Sequence, residues 1–117
     1  SIGVSLQVSQ EEDLDKVTAV AGSGTGYAFE IIRCWVEAAQ SIGLSASVSK
    51  ELVLATIGGA VDLASVKPDS IETLRDSVTS PKGTTAAGLE QLRKNDAMET
   101  LMKATVDAAL ARAIDLR

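Results

Sequence analysis

Residues 52–64 read LVLATIGGAVDLA, and this stretch decides the fold. Its apolar residues cover nearly every face of a helix that we predict to end near Val66. A helix that is apolar all round must be buried all round. A chain of 117 residues offers few other helices to cover it, so the stretch predicts a second subunit. Gly58 and Gly59 inside it each cost about 1 kcal/mol relative to Ala, which close approach by another helix would offset.

Helical signals continue on both sides of this stretch. Apolar spacing predicts a helix over residues 27–41 that Gly43 ends. Ser47 or Ser49 is predicted to cap the following helix. Further helices are predicted before and after these, over residues 9–20, over 71–79, from Thr84 or Thr85 to residue 92, and from residue 96 onward.

Three pairs predict capping boxes at helix starts: Ser9 with Glu12, Asp69 with Glu72, and Asp96 with Glu99. Residues 2–8 alternate apolar and polar, which favours a short strand at most, interpreted either as the remnant of a neighbouring domain or as a strand that pairs across an oligomer. The fold class predicted is all-α: one six-helix domain over residues 1–117 that forms an interleaved homodimer.

The composition excludes several kinds of function. The net charge of −5 opposes a nucleic-acid or anionic-membrane partner. The absence of His excludes a His base and most zinc sites, so we predict no metal site. The single Cys34 forms no disulfide framework, and its apolar neighbours favour a buried, inert thiol. No apolar run reaches the roughly 18–20 residues that span a bilayer, and no basic leader opens the chain. A soluble cytoplasmic domain is expected.

The stretch GSGTG at 22–26 is similar at first sight to a phosphate-binding loop. A dinucleotide loop has the form G-x-G-x-x-G after a strand and before a helix. Here the third Gly comes one place early, and the preceding residues are predicted to be helical. A break between two helices is the favoured interpretation, so no cofactor-binding residue is predicted in this chain.

The stretch SPKGTT at 80–85 is the candidate binding site. Pro81 disfavours helix at Ser80, and Gly83 allows a positive φ, so the stretch is predicted to turn before the next helix starts. The first N–H groups of that helix lack partners, Thr84 and Thr85 add hydroxyls, and Lys82 adds a charge. These groups suit a small carboxylate or phosphate. On these residues alone an ordinary helix cap is favoured, since any cap contains similar parts.

Other polar residues offer less. The acids Glu11, Glu12, Asp13 and Asp15 are interpreted as a solvated helix start without metal-loop spacing. Nothing near the Ser and Thr hydroxyls would activate them as nucleophiles.

Two longer stretches carry a specific resemblance. Residues 14–27, LDKVTAVAGSGTGY, resemble D-A-V-T-A-x-S-G-S-G-P-A-Y, and residues 74–89, LRDSVTSPKGTTAAGL, resemble L-R-D-x-V-T-S-P-G-G-T-T-x-x-G-L. Both patterns are typical of the C-terminal domain of the pyrroline-5-carboxylate reductases, and the closing helix is similar as well. Order and spacing agree over essentially the whole chain.

The resemblance implies a fold like the C-terminal domain of 6-phosphogluconate dehydrogenase, and an enzyme that reduces 1-pyrroline-5-carboxylate to L-proline with NADP or NAD as cofactor. It implies a homodimer, in many members part of a larger oligomer. It also implies that the backbone N–H groups at Gly83, Thr84 and Thr85 hold the substrate carboxylate. Thr85 would be the catalytic residue, with its hydroxyl facing the ring nitrogen. Val78 would pack near the ring, and Ser80 and Lys82 would complete the substrate site.

Departures from the family pattern leave alternatives open. The family's Pro-Ala before Tyr27 is Thr25-Gly26, and Lys82 replaces the first Gly of S-P-G-G. The N-terminal Rossmann domain is absent from residues 1–117, so this chain is not expected to bind the cofactor or turn over alone. The alternatives are a non-catalytic oligomerisation module and a reductase of another cyclic imine.

Overall fold

A computed structural model describes residues 10–117, and this range is helical with no strand. The predicted strand over residues 2–8 lies outside it. The helices are α1 (Glu11–Val17), α2 (Gly24–Ser41), α3 (Ala46–Val66), α4 (Ile71–Ser77), α5 (Thr84–Arg93) and α6 (Ala97–Leu116). A π-turn (Thr18–Gly22) follows α1, and a tight turn (Lys94–Asp96) joins α5 to α6.

The all-α prediction is confirmed, with a refinement. Only four of the six helices reach ten residues, namely α2, α3, α5 and α6, whereas α1 and α4 have seven each. The helix predicted over residues 71–79 ends at Ser77, and the Ser77 and Thr79 hydroxyls donate to the Leu74 and Arg75 carbonyls. Bonds of this kind satisfy carbonyls that a helix end leaves free.

The residues that cap the helices differ from the prediction. Ser45, rather than Ser47 or Ser49, accepts from the Val48 N–H and starts α3. Ser70, rather than Asp69, accepts from the Thr73 N–H and starts α4. In each case a neighbouring residue has the extended backbone that an N-cap needs.

The other two predicted capping boxes have different outcomes. Ser9 lies outside the described residues, and Gln10, without a side-chain cap, precedes α1. Asp96 precedes α6, but its φ of 54° is left-handed and its side chain makes no cap bond. Asn95 has a φ of 56°, so the α5–α6 connection turns left-handed at two successive residues, where Asn and Asp are the non-glycine types best tolerated.

The break predicted at residues 22–26 is shorter than expected. The chain stays helical through Gly22 in the π-turn, which the Ser23 N–H closes on the Thr18 carbonyl at 2.9 Å. Only Ser23 separates this turn from α2, whose first turn contains Gly24 and Gly26. This turn lies at the centre of the packing, since α1, α2 and α6 all contact it.

Little apolar surface is buried within one chain. Ala19 and Val53 are the buried apolar residues of the described range. Within residues 10–117 the long helix α3 packs closely only against α2, and α4 packs closely against no other element. Large apolar side chains are therefore exposed on α2, α3 and α6, among them Phe29 (67%), Val61 (57%) and Leu101 (67%).

The open faces include the glycines of α3. A Cβ atom added at Gly58 or Gly59 would meet nothing within 4 Å, so no helix of the same chain approaches there. Cys34 is also exposed, contrary to the buried thiol predicted, because the face of α2 that carries it is uncovered in the single chain. No helix within residues 10–117 is both long enough and apolar enough to cross a membrane.

Candidate functional site

The candidate site begins with a β-turn between α4 and α5. The Gly83 N–H donates to the Ser80 carbonyl at 3.0 Å, with Pro81 and Lys82 as the two central residues. Lys82 has a φ of 61°. Pro81 fixes a negative φ before a positive one, which defines a type II turn. The turn sets the position from which α5 starts.

Gly83 does not use the positive φ that glycine allows, because the left-handed position falls one residue earlier, on Lys82. Gly83 has a φ of −86° and a ψ of −176°, which any residue can adopt. Its lack of a side chain matters for another reason. A Cβ atom there would lie 3.2 Å from the Ser80 carbonyl oxygen and 3.3 Å from the Ser80 Cβ, closer than usual contacts. Gly83 therefore allows the turn to close tightly.

The N-terminus of α5 presents unpaired donors. The first helical bond runs from the Ala87 N–H to the Gly83 carbonyl, and Gly83 makes no side-chain cap. The N–H groups of Thr84, Thr85 and Ala86 have no acceptor among residues 10–117. The Gly83 N–H is already used in the turn. The donors available to an anion are thus shifted by one residue from those expected, with Ala86 added.

The charge at the site comes from one side chain. Lys82 is the only titratable residue between Val78 and Thr85, and it makes no ion pair within the described range. The helix dipole of α5 adds partial positive charge at the same end. An anion is therefore favoured there on two counts.

The predicted site residues lie together but uncovered. Val78 is 62% exposed, and Ser80, Lys82, Thr84 and Thr85 are also exposed. A groove between α4 and α5 lies nearby and is lined by residues that include Arg75, Thr79, Ala86 and Leu89. None of the five predicted site residues lines this groove. These five residues therefore lie on the open surface of the single chain.

Replacing Lys82 by Gly is expected to raise the free energy of unfolding by about 0.5–1 kcal/mol, because a left-handed backbone costs a non-glycine residue about 1–2 kcal/mol and the greater freedom of Gly when unfolded offsets part of it. Lys82→Ala is the matched control, since it keeps the strain and removes only the charge. Urea unfolding of the three proteins measures the difference. A stabilisation by Ala equal to that by Gly would contradict a backbone origin.

The glycine-rich stretch at 22–26 does not form a phosphate loop. Gly22 lies in a π-turn, and Gly24 and Gly26 lie in the first turn of α2, so no strand–loop–helix unit is present there. Residues 10–117 also contain no group of three or more His, Cys, Asp or Glu side chains placed so that they could hold a metal ion. Two groups on the exposed surface of α2, Glu30 and Arg33, have shifted pKa values. A hydrogen bond from Arg33 lowers the pKa of Glu30, and the same bond raises the pKa of Arg33.

Sequence reasoning missed three contacts near the chain's centre. The Tyr27 hydroxyl donates to the Ala19 carbonyl at 3.0 Å. Asp15, expected to be solvated, is 8% exposed, and its Oδ2 lies 2.9 Å from Arg117 Nε. Arg117 also contacts Glu11 at 3.2 Å. No local pattern signals an ion pair between the first and last described helices.

Comparison with known proteins matches nearly the whole chain. The family model described as pyrroline-5-carboxylate reductase dimerisation matches residues 11–116. Pyrroline-5-carboxylate reductase 2 of Bacillus subtilis is 39% identical over 100 residues, which cover 86% of this chain and 36% of that protein. The Pseudomonas aeruginosa pyrroline-5-carboxylate reductase is 34% identical over 116 residues, which cover 99% of this chain and 42% of that protein.

Solved structures agree. The Coxiella burnetii pyrroline-5-carboxylate reductase superposes with a TM-score of 0.90 at 35% identity, over 98% of this chain and 42% of that one. The Plasmodium falciparum pyrroline carboxylate reductase, with NADP bound, gives a TM-score of 0.83 at 37% identity, over 90% of this chain and 40% of that one. The chain thus spans about two fifths of the length of these relatives.

Proposed function

Because the chain belongs to the pyrroline-5-carboxylate reductase dimerisation family, we propose that it is the oligomerisation and substrate-binding part of an enzyme that reduces 1-pyrroline-5-carboxylate to L-proline. The observation that carries the substrate side of this proposal is the set of three unpaired N–H groups at Thr84, Thr85 and Ala86. They face solvent beside Lys82 and have no competing acceptor within residues 10–117.

The substrate carboxylate accepts hydrogen bonds from these N–H groups, and the dipole of α5 adds to the attraction. The Thr85 hydroxyl then lies at the ring nitrogen, where it orients the imine and stabilises its protonated form. Val78 supports the ring, and Ser80 lies at the start of the same turn. Orientation and charge stabilisation are the contributions of this chain, which agrees with the absence of His.

The cofactor proposed for the whole enzyme is NADP or NAD, which supplies the hydride when bound. Residues 10–117 contain no strand–loop–helix unit that could hold this cofactor. The NADP in the Plasmodium falciparum relative supports this choice of cofactor. We propose that the enzyme acts in the cytoplasm.

A second copy of the chain completes the module. The family supports homo-oligomerisation, and we propose a dimer as the basic unit, with larger assemblies built from it. The exposed apolar faces of α2, α3 and α6 would be covered there, and the partner would support α4, which packs closely against no other element within residues 10–117. The substrate turn follows α4, so its position would depend on the dimer.

A specific observation favours a second candidate, a reductase of another cyclic imine. Lys82 keeps a positive φ at the position where the family motif has Gly. A cation placed there beside the carboxylate site would suit a substrate that carries additional negative charge.

The test is NADPH oxidation with 1-pyrroline-5-carboxylate, measured on the protein from the intact gene and on the 117-residue chain. Turnover by the longer protein alone, with L-proline as product, is expected. A longer protein that is folded and dimeric yet inactive with this substrate would contradict the proposal, and activity with a different cyclic imine would support the second candidate.

A further inference from the structure

Polar side-chain contacts to distant parts of the described chain are few, and they converge on α1 and the π-turn. Tyr27 on α2 reaches the Ala19 carbonyl, and Arg117 beyond α6 reaches Glu11 and Asp15. Every other side-chain hydrogen bond within residues 10–117 joins residues at most four positions apart. Arg117 therefore holds the first helix directly, and Tyr27 holds the π-turn that continues it.

Both holding contacts involve buried groups. Ala19 is 1% exposed, and its carbonyl accepts from a half-buried Tyr27. Asp15 Oδ2 is buried and accepts no aligned hydrogen bond, so the charge of Arg117 at 2.9 Å is what compensates it. A buried carboxylate without a counter-charge is strongly disfavoured. If Arg117 were replaced by an uncharged residue, the Asp15 carboxylate would be more stable in solvent, and α1 would move with it.

The helix α1 is too short to be stable in isolation. It has seven residues, whereas isolated helices shorter than about 12–15 residues are marginal in water. Its stability must come from packing against the π-turn and α6 and from these two contacts.

We propose that Tyr27 and Arg117 are positioning residues that clasp α1 and the π-turn between α2 and α6, and that α1 is a hinge that opens separately from α3. The proposal rests on the proposed function and on the family resemblance, which implies a cofactor-binding domain before α1 in the longer enzyme. The clasp then sets how that part is placed relative to the substrate turn.

Hydrogen exchange on the 117-residue chain tests the hinge directly. With Arg117→Gln or Tyr27→Phe, the α1 amides are expected to exchange about tenfold faster or more, while α3 amides keep their rates. Lys16→Gln is the matched control on α1, because the ion pairs of Lys16 lie on the surface. Equal acceleration in α1 and α3, or none in either, would overturn the hinge.

Kinetics of the longer enzyme test the positioning role. Arg117→Gln is expected to raise the KM for NADPH about tenfold, with the oligomer intact and Lys16→Gln unchanged. Faster exchange in α1 with an unchanged KM would overturn the role. An inactive wild-type enzyme would instead remove the proposed function, and the exchange rates would still decide whether the clasp exists.

Discussion

Replacing Thr85 by Val in the longer enzyme is expected to lower kcat/KM for 1-pyrroline-5-carboxylate about 100-fold, or roughly 2.7 kcal/mol of transition-state stabilisation. Val has nearly the shape of Thr but lacks the hydroxyl proposed to face the ring nitrogen. Both residues are β-branched, and the Thr85 N–H that binds the carboxylate is retained. The loss should therefore appear mainly in kcat.

Thr85→Ser is the matched control, because it keeps the hydroxyl and is expected to retain activity within about tenfold. Thr84→Val tests the neighbouring position, where only the backbone N–H is assigned a role, so little change is expected there. Steady-state NADPH oxidation measures all three variants. Equal losses for Thr84→Val and Thr85→Val would contradict a specific role for the Thr85 hydroxyl.

Replacing Val61 by Glu is expected to prevent assembly of the chain. Val61 is 57% exposed in one chain, within the apolar stretch of α3 that we propose a second copy covers. Burying an unpaired carboxylate costs several kcal/mol, and a dimer would bury two. A penalty of about 4 kcal/mol weakens association roughly a thousandfold.

Lys50→Glu is the control for this substitution, since it adds the same side chain to an exposed position in the first turns of α3, where negative charge is favourable. Light scattering during gel filtration gives the mass of each variant. Assembly of Val61→Glu to the same extent as Lys50→Glu would show that this face of α3 is not covered.

The order and type of the elements could be predicted because apolar spacing is a local signal. The helix over 46–66, its apolar surface on all sides, and Gly43 as the end of α2, with a φ of 103°, all follow from neighbouring residues. The same is true of the binding turn, since Pro81 and Gly83 mark its place through their own backbone preferences.

Which residue takes a given role was harder to predict. Ser45, Ser47 and Ser49 are chemically equal as caps, and only the backbone path selects Ser45. In the turn at residues 80–83, Gly83 allows a positive φ, but Pro81 at the first central position places the positive φ on Lys82. Such choices depend on geometry over a few residues, which composition does not determine.

Tertiary contacts lay furthest from prediction. Asp15 belongs to an acidic run typical of an exposed helix start, and only the return of α6 brings Arg117 to it. The exposure of Cys34 has the converse cause, because its apolar surroundings on α2 predict burial that one chain alone does not provide. Both residues show that burial here depends on distant chain segments or on a second copy.

The measurement that tests the account most directly is sedimentation equilibrium of the wild-type 117-residue chain at micromolar concentration. The large apolar faces of α2, α3 and α6 and the loosely packed α4 predict a dimer, with twice the 12.1 kDa mass of one chain. A stable, folded monomer of 12.1 kDa would contradict the account, because those faces would then have no need of a second copy.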